Sequence, residues 1–105
     1  MPRGRSDRAP NAYIAHGQWP EATLRPDAPA SAHYSQALAH RLETAMRARP
    51  VSIRGLAKLA GLTHPTIISA LRGDKYPDLR TLACLEVALG VELYPAGLYQ
   101  HLHPQ

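Results

Sequence analysis

Ser52 to Gly73, SIRGLAKLAGLTHPTIISALRG, is the stretch that decides the fold of this chain. Leu56, Leu59 and Ala60 recur at spacings of three and four, the period of a helix that buries one face. Ser52 precedes them as a cap whose hydroxyl can accept from a free backbone N–H. Gly61 follows where a turn needs positive φ, which glycine adopts without a Cβ penalty. Leu62 enters the core after the turn. Thr63 caps a second helix, with Pro65 in its first turn, where a missing N–H costs little. Ile67, Ala70 and Leu71 repeat the apolar spacing. Ala57 is small and lets the second helix cross close to the first.

Two short helices at a steep angle with a glycine between them describe a helix-turn-helix. The pattern continues beyond the pair. In order it reads Leu56-Ala57, Gly61-Leu62-Thr63, Thr66-Ile67, Gly73, Pro77-Asp78-Leu79, Thr81-Leu82, Leu85 and Ala88-Leu89-Gly90-Val91. On these residues Ser52 to Pro95 resembles the Cro and lambda-repressor-like helix-turn-helix family, also called the xenobiotic-response-element type. The resemblance implies double-stranded DNA as partner, with the start of the second helix of the pair in the major groove.

The chain has 105 residues, enough for one domain and a tail. It is 45% hydrophobic with no Phe and one Trp, so its core must be mostly aliphatic. A net charge of +4 and a pI near 9.6 favour anionic partners. A single cysteine excludes an internal disulfide and fits a reducing cytoplasm. No apolar run is long enough for a membrane span, and the N-terminus lacks the apolar segment of a secretory signal.

Residues 1–30 read as a disordered or loosely docked N-terminal arm, and 31–105 as the DNA-binding domain. Pro20, Pro26 and Pro29 break any helix in the arm. Tyr13, Ile14, Trp19 and Leu24 are too scattered to build a core, though some can dock, with Trp19 the best anchor. Pro2-Arg3-Gly4-Arg5 looks like the core of an AT-hook, which would lay Arg3 and Arg5 in a minor groove; the alternative is a solvated tail.

Ser31 to Arg49 is the first predicted helix, with Ser31 or Ser35 as cap and Leu38, Leu42, Ala45 and Met46 on its inner face. Pro50 ends it. Arg47 and Arg49 either complement the helix dipole or meet phosphates. Asp78 to Leu89 is a further helix, capped by Asp78, with Leu79, Leu82, Leu85 and Leu89 turned inward and Gly90 as its stop. A short last helix is expected between Val91 and Leu102.

By position in the resembled family, Thr63, His64, Pro65 and Ser69 face the bases. His64 can donate to or accept from a purine edge, and Thr63 and Ser69 can do either more weakly. Pro65 offers apolar contact only. Thr63 can serve as cap and contact together. Arg54, Lys58, Arg72, Lys75 and Arg80 form a basic rim suited to phosphates. The family usually carries a polar residue where Ile53 stands, and Gly55 lies mid-helix at a cost of about 1 kcal/mol relative to Ala. Leu93, Tyr94, Leu98, Tyr99 and Leu102 exceed what one small terminal helix needs; they seal the core or form a dimer seam.

No Ser-His-Asp or Cys-His set is discernible, so no enzymatic activity is expected. His101 and His103 lack further ligands, so neither a metal nor a cofactor is expected. The sequence therefore predicts an all-α, five-helix bundle containing a helix-turn-helix, with a flexible N-terminal arm. The expected function is a cytoplasmic, homodimeric, sequence-specific transcriptional regulator, a repressor. Two alternatives stand beside it. One is the antitoxin of a toxin–antitoxin pair, with a toxin as partner. The other is a protein-interaction module that has lost DNA binding, for which Ile53, Pro65 and Ile68 speak.

Overall fold

The structure, a computed structural model, describes residues 7–104. It is mostly helical, with four α-helices and a small two-stranded sheet. The sheet pairs β1 (Ile14–His16) with β2 (Thr23–Leu24), antiparallel, Ile14 opposite Leu24. The helices are α1 (Ala30–Ala48), α2 (Ile53–Ala60), α3 (His64–Arg72) and α4 (Leu79–Leu89). A 3-10 turn, Pro10–Tyr13, precedes β1, and another, Leu98–His101, follows α4.

α1 buries Ala32, Ser35, Leu38, Ala39 and Leu42. Neither Ser31 nor Ser35 caps it; Pro29 stands at the cap, and the Ser31 hydroxyl donates instead to Asp7 Oδ2 at 3.0 Å. Leu38 and Leu42 meet Leu56, Ala57, Ile67, Ala70, Leu85, Leu89 and Leu93 in one core. Leu42, Leu56, Ile67, Leu85 and Leu93 are completely buried, each worth about 1.5–3 kcal/mol in transfer free energy.

Beyond the α1 cap, the helix count, two inward leucines and the N-terminal arm differ from the sequence reading. Among the described residues there are four helices, not five. The segment after α4 forms no α-helix, only the 3-10 turn Leu98–His101, and Glu86 Oε2 holds its start by accepting from the N–H groups of Leu93 at 2.8 Å and Tyr94 at 3.0 Å. That side chain folds the segment back and sinks Leu93 and Pro95. Leu59 is 63% exposed and Leu79 is 79% exposed, not turned inward. The inner stripe of α2 is Ile53, Leu56, Ala57 and Ala60, and that of α4 is Thr81, Leu85 and Leu89, so both leucines fall outside the helical period.

The largest difference lies before α1. Within the described residues the flexible arm is replaced by a docked hairpin. Tyr13, Ala28 and Ala32 form a second small apolar cluster with Leu24 packed on it, which pins the hairpin to the start of α1. Asn11 N–H donates to the Gly73 carbonyl at 2.9 Å, and its Nδ2 donates to the Arg72 carbonyl at 3.1 Å and to Asp74 Oδ1 at 2.9 Å. Trp19 lies over Gly73 so closely that a Cβ there would stand 2.5 Å from its Cε2. Distant partners, not local periodicity, order this segment.

Among the described residues no helix is long and apolar enough to cross a membrane.

Candidate nucleic-acid interface

Three local signals set α2 against α3. Ser52 Oγ accepts from Gly55 N–H at 2.9 Å and fixes the start of α2. Gly61, at φ 70°, ends it in the left-handed region, and Leu62 N–H returns to the Ala57 carbonyl at 3.0 Å. Thr63 Oγ1 then accepts from Thr66 N–H at 3.4 Å, and the two hydroxyls lie 2.7 Å apart. Ile67 and Ala70 face inward, leaving the opposite side of α3 to solvent. Gly55 has a structural reason: a Cβ there would press on Ser52 Oγ at 3.1 Å and on a Val51 methyl at 3.3 Å. Ile53 packs against the core.

An open hollow of about 420 Å³ runs between α3 and the start of α4. Thr63, Pro65 and Ser69 line it, three of the four residues the sequence offers to bases; His64 does not. Thr66, Lys75, Tyr76, Asp78 and Thr81 also line it. Thr66 is not among the residues the sequence offers to bases, yet 63, 66 and 69 are spaced by three and share a face, while 64 is one position round the helix. Tyr76 carries no such signal, because its place depends on the loop after Gly73.

The charges in the hollow are balanced. Lys75 is exposed and makes no ion pair or hydrogen bond among the described residues. Asp78 caps α4 by accepting from Thr81 N–H at 2.8 Å, and that backbone bond, with help from the Thr81 side chain and the Arg80 charge, lowers its pKa. Burial pushes the Tyr76 phenol up, so it stays a donor, and it donates to the Arg8 carbonyl at 2.6 Å. The wall is thus rich in hydroxyl groups, with one cation and one anion.

The basic rim divides into free and engaged members. Arg54 and Lys58, one turn apart on α2, are exposed and have no ion pair among the described residues. Arg72 is also exposed, with its Nε 3.7 Å from Asp74 Oδ2. Arg80 lies on the first turn of α4 and acts on Asp78 through its charge. Arg47 pairs with Glu43 at 3.1 Å, and Arg49 donates to the Leu89 carbonyl at 3.2 Å, closing the end of α4. Arg3 and Arg5 lie outside the described residues. The chain enters the described part beside Tyr76, through its bond to Arg8.

The five residues read as a dimer seam do not form one surface. Leu93 belongs to the core, because Glu86 draws its backbone inward. Tyr94 is half-exposed with its ring 5.7 Å from that of Tyr34. Leu98 and Leu102 are half-buried, and only Tyr99, at 66%, stands well clear. Among the described residues no group of three His, Cys, Asp or Glu side chains is placed to hold a metal.

Comparison of the chain with protein-family models, with curated proteins and with solved structures finds no match.

Proposed function

We propose that this chain is a cytoplasmic, sequence-specific regulator of transcription of the helix-turn-helix type, with α3 as its reading helix in the major groove of double-stranded DNA. The observation that carries the reading is the outer face of α3. Thr63, Thr66 and Ser69 line an open hollow there, with Lys75 free of partners among the described residues. A base edge needs mixed donors and acceptors, which hydroxyl groups supply. The balanced charge of the hollow suits such an edge better than a phosphate.

Phosphates fall to the rim, where Arg54 and Lys58 are available and Arg72 is braced by Asp74. Pro65 offers a thymine methyl an apolar contact. No cofactor is required for this function.

Binding of random and selected duplexes at several salt concentrations tests the reading. Affinity should fall with salt at a log–log slope of about −0.9 per phosphate contact, and Lys58→Ala should make the slope shallower by about 1 for every duplex alike. Thr66→Val should relax preference at single base pairs, by less than the roughly 1–3 kcal/mol of a bidentate contact. An affinity that ignores salt would overturn the reading and leave the protein-binding alternatives, the antitoxin among them.

A further inference from the structure

The solvent side of α4 is apolar along its length. Leu79 is 79% exposed and Val87 is 83% exposed, with Ala83, also exposed, midway between them. Val91, 43% exposed, continues the stripe past the helix end. A surface helix normally turns charged residues to water, and a contiguous apolar face marks a contact. The stripe also has an internal symmetry. Leu79 and Val87 lie four residues either side of Ala83, and Arg80 and Glu86 lie three either side.

We propose that this face is the seam of a homodimer, built on a two-fold axis through Ala83. Two antiparallel copies of α4 centred there set Leu79 level with Val87 of the second copy. They also set Arg80 level with its Glu86. Every contact occurs twice, as an isologous interface requires. The small side chain at the centre allows the two helices to approach closely, and the flanking charges meet with opposite sign. In a parallel pair each charge would face its own kind.

Arg80 has no ion pair among the described residues. Glu86 uses Oε2 for Leu93 and Tyr94, and its Oε1 has no partner among them. The contact therefore withdraws Arg80 from the phosphate rim. It places the seam on α4, not on the segment after it. It does not depend on the DNA-binding reading, and its test contains no DNA.

The full chain is measured by light scattering across a concentration series, unmodified and as Val87→Glu. In parallel, Ala83→Cys and Ala48→Cys, each with Cys84→Ser, are equilibrated with oxidised glutathione. Ala48 is exposed at the end of α1 and serves as the reference. The expected results are a concentration-dependent dimer, weakened about tenfold or more by Val87→Glu, with helical circular dichroism unchanged. Ala83→Cys should give a covalent dimer and Ala48→Cys should not. A chain that stays monomeric throughout overturns the proposal. So does a dimer indifferent to Val87→Glu, a Val87→Glu variant that unfolds, or crosslinking at position 83 no better than at position 48.

Discussion

Helices α2 and α3 are specified by residues next to one another, whereas residues 7–29 depend on the start of α1 and on residues about sixty positions away. In the helix pair every stop and start has a local cause: Ser52 bonds Gly55, Thr63 bonds Thr66, and Gly61 supplies the turn. In the N-terminal segment the local pairing is only three residues against two. Its anchors are Asn11 on Arg72, Gly73 and Asp74, Tyr76 on Arg8, and Trp19 on Gly73. A two-stranded hairpin has little stability of its own, so the docking must supply it. The two regions meet at Gly73, where α3 ends.

Gly61 and Gly73 separate these two kinds of specification. Their φ angles are nearly equal, 70° and 73°, so a Cβ strains the backbone alike at both. A methyl group added at Gly61 would meet nothing within 4 Å, while at Gly73 the Trp19 ring fills the space it would take. Gly61→Ala should cost about 1–2 kcal/mol. Gly73→Ala adds an overpacking penalty of about 1–3 kcal/mol and is the largest effect expected here. Urea denaturation measures both. Equal losses at the two positions would break the contrast, because Trp19 would then not occupy Gly73.

Trp19→Ala should destabilise by about 3 kcal/mol, toward the low end for a large aromatic because the ring is partly exposed. Its Nε1 is buried without a hydrogen-bond partner among the described residues, which lowers the net gain from burying it. In the Trp19→Ala background Gly73→Ala should cost no more than Gly61→Ala. That non-additivity is the signature of direct contact.

The same contrast explains what the sequence discloses. Caps at Ser52, Thr63 and Asp78 and the inner residues Leu56, Ile67, Leu85 and Leu89 are all legible, because each signal lies within one or two helical turns. Trp19 is legible as an anchor but not its seat on Gly73. Leu93 reads as core or seam alike, because nothing nearby announces that Glu86 will hold its N–H and turn it inward. At the candidate site, Thr63, Pro65 and Ser69 are found by position along α3, whereas Tyr76 needs the loop geometry. Leu59 and Leu79 mislead for another reason: a single apolar residue satisfies several helical periods, and only packing selects one.

Asn11→Ala and Ser52→Ala weigh a distant bond against a local one. Asn11 loses two side-chain bonds, both exposed, and Ser52 loses one cap bond. Each should cost about 1 kcal/mol. Thr63→Ala loses a longer cap bond than Ser52→Ala, 3.4 Å against 2.9 Å, but also the 2.7 Å hydroxyl bond to Thr66, so its cost should be similar. Hydrogen exchange locates the effects. Asn11→Ala should loosen Gly73 and the hairpin together, and Ser52→Ala the first turn of α2 alone.

The cap of α4 gives the smallest effect and the one that depends on pH. Asp78 has its pKa lowered in the folded chain, chiefly because its carboxylate accepts from Thr81 N–H. A depressed carboxyl binds its proton more weakly folded than unfolded, so its contribution is complete above the ordinary aspartate value of 3.8. It is lost as pH falls from there through the lower folded value. The carboxylate is fully exposed, so solvent screens the effect and it remains small. Asp78→Asn keeps an acceptor for Thr81 and removes the titration. Its stability should therefore run parallel to the unmodified chain near neutrality and fall less steeply in acid. An unchanged acid slope in Asp78→Asn would mean that other carboxylates govern the acid limb and that the α4 cap holds by geometry alone.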